Sequence, residues 1–115
     1  MERKIIKTAD GSVTIHLPDW NEQYHSKHGA VQEARHVFLK MGLYTLLERK
    51  NFSRLSILEI GFGTGLNAFL TLLEAERLGL KVDYTGVEAY PVASEEVELL
   101  NYPEAVHAED KAGYF

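Results

Sequence analysis

The 115-residue sequence predicts an α/β fold centred on one strand, glycine turn, helix, strand unit. Three observations carry this. The run Leu55-Ser56-Ile57-Leu58-Glu59-Ile60 has the length of a strand and is apolar on both sides, the pattern of a strand inside a parallel sheet. It passes into Gly61-x-Gly63-x-Gly65, after which Leu66, Phe69, Leu70 and Leu73 recur at helical spacing to about Leu78, with Gly79 placed to end the helix. Lys81 to Glu88 then reads as a second strand. Such a βαβ unit takes a right-handed crossover, and its ligand lies outside the carboxyl ends of the strands.

The other elements follow in chain order. Two β-prone runs flank Asp10-Gly11, a pair suited to the positive φ angles of a tight turn, which predicts a β-hairpin from about Lys4 to Leu17. Pro18-Asp19-Trp20-Asn21 breaks that pattern and opens a polar loop through Tyr24-His25-Ser26 to Gly29. From Ala30, the residues Ala34, Val37, Phe38, Met41, Tyr44 and Leu47 fall at spacings of three and four, so they form the buried stripe of a helix, with Gly42 a weak point where it bends or breaks. Pro91 suits the first turn of a third helix, with Ala93, Val97 and Leu100 facing inward and Pro103 interrupting it. The tail to Phe115 carries no predicted element. The expected organisation is a hairpin and covering loop over residues 1–29 and a sheet-and-helix part over 30–115.

Composition narrows the function. Only Ile5 and Ile6 follow the polar start Met1-Glu2-Arg3-Lys4, far short of a signal-peptide core or a membrane span, so a cytoplasmic protein is expected. With no cysteine there is no disulfide, thiolate nucleophile or cysteine zinc site. Twelve Lys and Arg against seventeen Asp and Glu give a net charge of −5, so an RNA partner would need a local basic patch. Lys40, Arg49, Lys50 and Arg54 are the candidates, and they read first as a solvated helix face. His25, His28 and His36 are close in sequence but lack converging acidic or cysteine ligands, so no metal is expected. His36 is read as packing against the fold, and Trp20, which like Phe62 could stack on a base or on adenine, first as packing within its loop.

The glycine turn carries the chemistry. Gly61 and Gly63 permit a sharp strand-to-helix turn, leave room for a ligand on the backbone, and present amides at the helix start. The spacing G-x-G-x-G differs from the G-x-G-x-x-G of dinucleotide binders. No lysine occurs between Lys50 and Lys81, which excludes a phosphate-gripping loop. Glu59 ends an apolar strand, where desolvation of a carboxylate calls for a cationic or hydrogen-bonding partner such as the ammonium of S-adenosyl-L-methionine. Glu88 lies 23 residues after Gly65 at the end of the next strand, where an acidic side chain accepts ribose hydroxyls.

At these residues the sequence resembles the methyltransferases that complete 5-methylaminomethyl-2-thiouridine at the tRNA wobble position. One part of the resemblance is Tyr24-His25-Ser26-x-x-Gly29-Ala30-x-x-Glu33-Ala34-x-His36-Val37-Phe38-Leu39. The other is Ile57-Leu58-Glu59-Ile60-Gly61-Phe62-Gly63-Thr64-Gly65-Leu66-Asn67 followed by Glu88-Ala89-Tyr90-Pro91. The resemblance implies a partial Rossmann-like class I methyltransferase fold. It implies S-adenosyl-L-methionine as cofactor, lined by Glu59, Gly61, Phe62, Gly63, Thr64, Gly65 and Asn67, with Glu88 on the ribose beside Ala89 and with Tyr24 and His25 closing over it. It further implies tRNA as partner and methyl transfer to an aminomethyl group.

The carboxyl-terminal part departs from the family. There a later strand brings an acidic residue to the reacting amine, but nothing after Pro103 matches it, and Glu104, Glu109 and Asp110 lie in the tail, so no catalytic base is assigned. The chain has no room for the flavin-dependent oxidase domain that some relatives carry. The expectation is a methyltransferase fragment, inactive alone and prone to self-association through the unpaired edge of Leu55 to Ile60. The alternative is a non-catalytic cofactor-binding or interaction module.

Overall fold

In the computed structural model, which describes residues 2–49 and 53–114, the alternating runs around Asp10-Gly11 pair as antiparallel strands β1 (Lys4–Lys7) and β2 (Val13–Leu17). Their register runs from Lys4↔His16 to Lys7↔Val13. A two-residue strand, β3 (Glu22–Gln23), adds to β2 from within the polar loop. The turn over residues 8–12 closes with the Thr8 amide on the Ser12 carbonyl at 2.8 Å and Gly11 at φ 88°.

This turn also caps a helix. The first amides of α1 (Ala30–Ala34) have no partners within the helix. The Ala30 N–H donates to Thr8 Oγ1 at 3.0 Å, Val31 N–H to Ser12 Oγ at 3.1 Å and Gln32 N–H to Asp10 Oδ2 at 2.9 Å. Gly29 is needed beside them, because a Cβ there would fall 2.9 Å from Asp10 Oδ2. Burial pushes the Asp10 carboxyl up, but hydrogen bonds from Ser12, the Gln32 amide and Thr8 outweigh it and hold the group below its ordinary value. Asp10→Ala is therefore expected to lower stability by about 1–2 kcal/mol, the scale of a lost helix cap. Because the folded-state pKa is depressed, this contribution is present at neutral pH and fades as pH falls through the depressed folded-state range. Denaturant unfolding of both proteins at neutral and acidic pH checks it: the difference should shrink on acidification.

The helical path continues from α1 through a π-helical segment, Arg35–Tyr44, into α2 (Thr45–Arg49). The wider turn bends the expected stripe out of register. Leu39 and Leu43 are buried after Ala34, whereas Val37 and Met41, predicted inward, are exposed. Gly42 does not break the path; the irregularity spreads over ten residues. His36, expected to pack, is exposed.

β4 (Arg54–Ile60) and β5 (Lys81–Val87) pair in parallel, in register from Arg54↔Lys81 to Ile60↔Val87, on either side of α3 (Leu66–Leu78). Gly79 ends α3 at φ 68°. Leu66, Phe69 and Leu70 of α3 share one buried cluster with Ile15 and Leu17 of the hairpin and Val31 of α1. The sheet is covered on one face only, where Leu55, Ile57 and Glu59 lie beside Val82, Tyr84 and Gly86. On the other face Ile60 is 75% exposed and Leu58 65%, with Val87 also open. The two-sided burial expected of this strand is thus not met among the described residues. Arg54, at the start of β4, pairs with Asp83 at 2.8 Å, so its charge is compensated. Lys50 of the candidate basic patch lies outside the described residues.

Beyond β5 the helix starts later than Pro91. It is α4 (Ser94–Glu98), because the Glu96 carboxylate accepts the Ala93 amide at 3.1 Å and is itself held by Arg3 at 2.9 Å. Ala93, predicted inward, is exposed, whereas Leu100 is buried. Pro103 sits in the first turn of a further short helix, α5 (Tyr102–Ala105), instead of ending one. A 3₁₀ turn, Glu109–Tyr114, follows where no element was predicted. The Asn101 side chain ties this region to the hairpin, accepting from the Val13 amide at 2.9 Å and donating to the Gly11 carbonyl at 3.0 Å. Among the described residues no helix is long and apolar enough to cross a membrane.

Candidate functional site

The glycine turn is folded back over the end of β5. The Val87 carbonyl accepts from the Gly61 amide at 2.8 Å and the Phe62 amide at 3.0 Å, and the Gly65 amide returns to the Phe62 carbonyl at 3.1 Å as α3 begins. Gly61 and Gly63 have φ of 82° and 58°, angles open to glycine and costly for branched side chains. The Phe62 ring packs against Gly86, where a Cβ would fall 2.7 Å from Cγ. Tyr24 lies over Gly63, where a Cβ would fall 3.1 Å from Cδ2. Above Gly61 there is open space, with no atom within 4 Å of a Cβ position.

Both predicted carboxylates face this turn, and both have protein partners. Glu59 accepts from Asn67 Nδ2 at 2.7 Å and from the Tyr84 hydroxyl at 2.7 Å, one on each oxygen. Glu88 accepts from the Gly63 amide at 2.7 Å and the Tyr90 amide at 3.2 Å. Two sequence expectations change accordingly. The desolvation of Glu59 is offset by two neutral donors of the protein without any ligand. The amides of Gly61, Phe62, Gly63 and Gly65, expected to be presented at the helix start, already donate within the protein.

A cavity of about 620 Å³ opens over the turn. Of the predicted residues, Tyr24, His25, Glu59, Gly61, Phe62, Gly63, Asn67 and Glu88 line it. Thr64 and Gly65 instead line a neighbouring cavity of about 300 Å³, and Ala89 is exposed and lies on neither wall. Thr64 is turned inward, accepting from the Tyr102 hydroxyl at 3.1 Å. His25 meets Thr14 Oγ1 through Nδ1 at 2.8 Å and stands edge-on to Tyr102 with centroids 6.3 Å apart. Burial lowers the His25 pKa against the opposing pull of Glu33, so the ring is neutral at neutral pH. Burial likewise pushes Tyr102 up to about 12, with its hydrogen bonds to Thr64 and Thr14 opposing.

Sequence reasoning missed several members of this wall. Glu33, Ala34, Val37 and Phe38 reach it from the helical path, and Tyr90 from beyond β5. Val37 points there because of the π segment, which no periodicity count at helical spacing reveals. Trp20 was expected to pack in its loop; it is 59% exposed and borders the cavity. Tyr90 is held by Arg3, which donates to its carbonyl at 3.0 Å. Tyr84, which reaches the site through Glu59 and does not line the cavity, was legible in principle, since Val82, Tyr84 and Gly86 alternate onto the covered face of β5.

No family model matches the chain. Curated proteins do. Over 85 residues it is 34% identical to the tRNA 5-methylaminomethyl-2-thiouridine biosynthesis bifunctional protein MnmC of Acidovorax sp. (strain JS42), covering 70% of this chain and 13% of that protein. Over 105 residues it is 32% identical to the protein of the same name from Polaromonas naphthalenivorans, covering 86% of this chain and 16% of that protein. The crystal structure of MNMC2 from Aquifex aeolicus superposes with a TM-score of 0.74 at 27% identity, covering 96% of this chain and 38% of that one. The chain resembles the MnmC methyltransferase family. Its fold is accordingly part of a Rossmann-like methyltransferase domain, and the match to MNMC2 spans the hairpin, helical path and βαβ unit together. The chain spans about an eighth to a sixth of the length of the curated MnmC relatives and just over a third of the solved MNMC2 chain.

Proposed function

We propose that the cavity over the glycine turn binds S-adenosyl-L-methionine, and that the chain is part of an enzyme methylating the aminomethyl group of 5-aminomethyl-2-thiouridine at the tRNA wobble position, a cytoplasmic reaction. The observation that carries the reading is the pairing of two carboxylates, Glu59 and Glu88, across a bare glycine surface with open space above Gly61. The donor set fits: Glu59 offers a fixed anion to an ammonium, and Glu88 keeps lone pairs for ribose hydroxyls while it caps Gly63.

The bound cofactor supplies a methyl group activated on a sulfonium. Everything else is positioning. Glu59, held from both sides, orients the cationic end of the ligand. Tyr24 and His25 cover the turn and exclude water, and a neutral His25 adds no repulsion to a cationic ligand. A second reading, a cofactor-binding module without catalysis, draws on one observation: every described residue lining the cavity falls between positions 17 and 90, so Glu104, Glu109 and Asp110 contribute no acid or base to it.

Calorimetric titration of the chain with S-adenosyl-L-methionine tests the cofactor. A methylation assay on undermodified tRNA then separates the readings, since binding without methylation supports the module. Glu88→Ala is expected to weaken cofactor binding by about 1–3 kcal/mol, the scale of removing a charged hydrogen-bond partner. Unchanged affinity in that titration removes Glu88 from the site.

A further inference from the structure

We propose that Tyr84 is a positioning residue, which locks the Glu59 carboxylate in the orientation that faces the cavity over the glycine turn; this deepens the cofactor reading and rests on it. Tyr84 lies on the covered face of β5, and its hydroxyl donates to Glu59 Oε1 at 2.7 Å. Asn67, in the first turn of α3, donates to Oε2 at 2.7 Å, so the carboxylate plane is set from two different elements. The Tyr84 ring is itself fixed. It stands between Phe38 of the helical path, with centroids 6.4 Å apart, and Phe62 of the glycine turn, at 6.5 Å and edge-on. Burial and the adjacent Glu59 push the phenol well above its ordinary pKa, so it stays a donor throughout the working pH range.

A carboxylate with one donor on each oxygen retains lone pairs directed into the cavity but loses the freedom to rotate. That arrangement suits a ligand whose cationic group must meet an anion in one place.

The test is Tyr84→Phe, which keeps the ring against Phe38 and Phe62 and deletes only the hydroxyl. S-adenosylhomocysteine and 5′-methylthioadenosine are titrated calorimetrically into both full chains at neutral pH, with denaturant unfolding as the fold control. The other titratable groups on the cavity wall, Tyr24, His25, Glu33, Glu88 and Tyr90, are common to both proteins, so a difference isolates the hydroxyl. Affinity is expected to fall about tenfold at neutral pH, the scale of one hydrogen bond to a charged group. Affinity for 5′-methylthioadenosine, which lacks the ammonium group, should be equal in the two proteins, a selectivity that a purely structural role does not produce. Equal affinity for S-adenosylhomocysteine in the two proteins, or an equal loss for both ligands, overturns the inference and leaves the cofactor reading intact. Absence of binding by the unaltered chain overturns the cofactor reading and this inference with it.

Discussion

Valine at Gly61 or at Gly63 is expected to abolish binding of S-adenosyl-L-methionine while leaving helical content largely unchanged. The two positions fail for different reasons. At Gly61 a side chain meets no protein atom, so the effect comes from a φ of 82° and from branched carbons filling the open space the ligand needs. At Gly63 the φ is 58° and the new Cβ falls 3.1 Å from Tyr24, so the aromatic cover must move and the amide held by Glu88 moves with it. Holding a β-branched residue at such angles costs about 1–3 kcal/mol before any ligand contact is counted. Because α3 begins only after Gly65 and packs through Leu66, Phe69 and Leu70, circular dichroism should change little. Calorimetry on both variants decides it, and binding that survives both would mean that the ligand sits elsewhere.

The second large effect concerns association. We expect the isolated chain to form dimers or larger species at micromolar concentration. β4 and β5 pair only with each other among the described residues, so each presents an outer edge, and one face of the pair exposes Leu58, Ile60 and Val87 side by side. In a solution of this chain alone, the one partner available to that surface is another copy. Sedimentation measures the assembly, and Leu58→Lys together with Ile60→Lys should shift it toward monomer by placing charge on the face. A stable monomer with cooperative unfolding, seen for the unaltered chain, refutes the expectation.

The parts of the site that were legible beforehand are those set by local chemistry. Gly61, Gly63, Glu59 and Glu88 fall within or beside one βαβ unit, whose connection is short and whose ligand end is a property of parallel strands. The resemblance added Asn67 at the start of α3, and Tyr24 and His25, which reach the same cavity from the loop before the helical path. What remained hidden depended on how distant segments meet. Nothing in the spacing of Thr8, Asp10 and Ser12 announces that a hairpin turn will cap the amides of residues 30–32. Nor does the run from Ala34 to Leu47 show that a π segment will turn Val37 toward the cavity and Leu39 toward the core.

The sequence by itself determined the elements that close over short range: the hairpin about Asp10-Gly11, the strand, glycine turn and helix from Leu55 to Gly79, and the parallel strand after it. These follow from backbone dihedral preferences and apolar periodicity, which act between near neighbours. Only the tertiary structure decided the partners of the two carboxylates, the use of the turn amides inside the protein, and the burial of the sheet on one face alone. Those outcomes depend on which polar groups are brought within hydrogen-bonding distance from far along the chain. A side chain such as Tyr84 becomes a donor to Glu59 only once β4 and β5 lie in register.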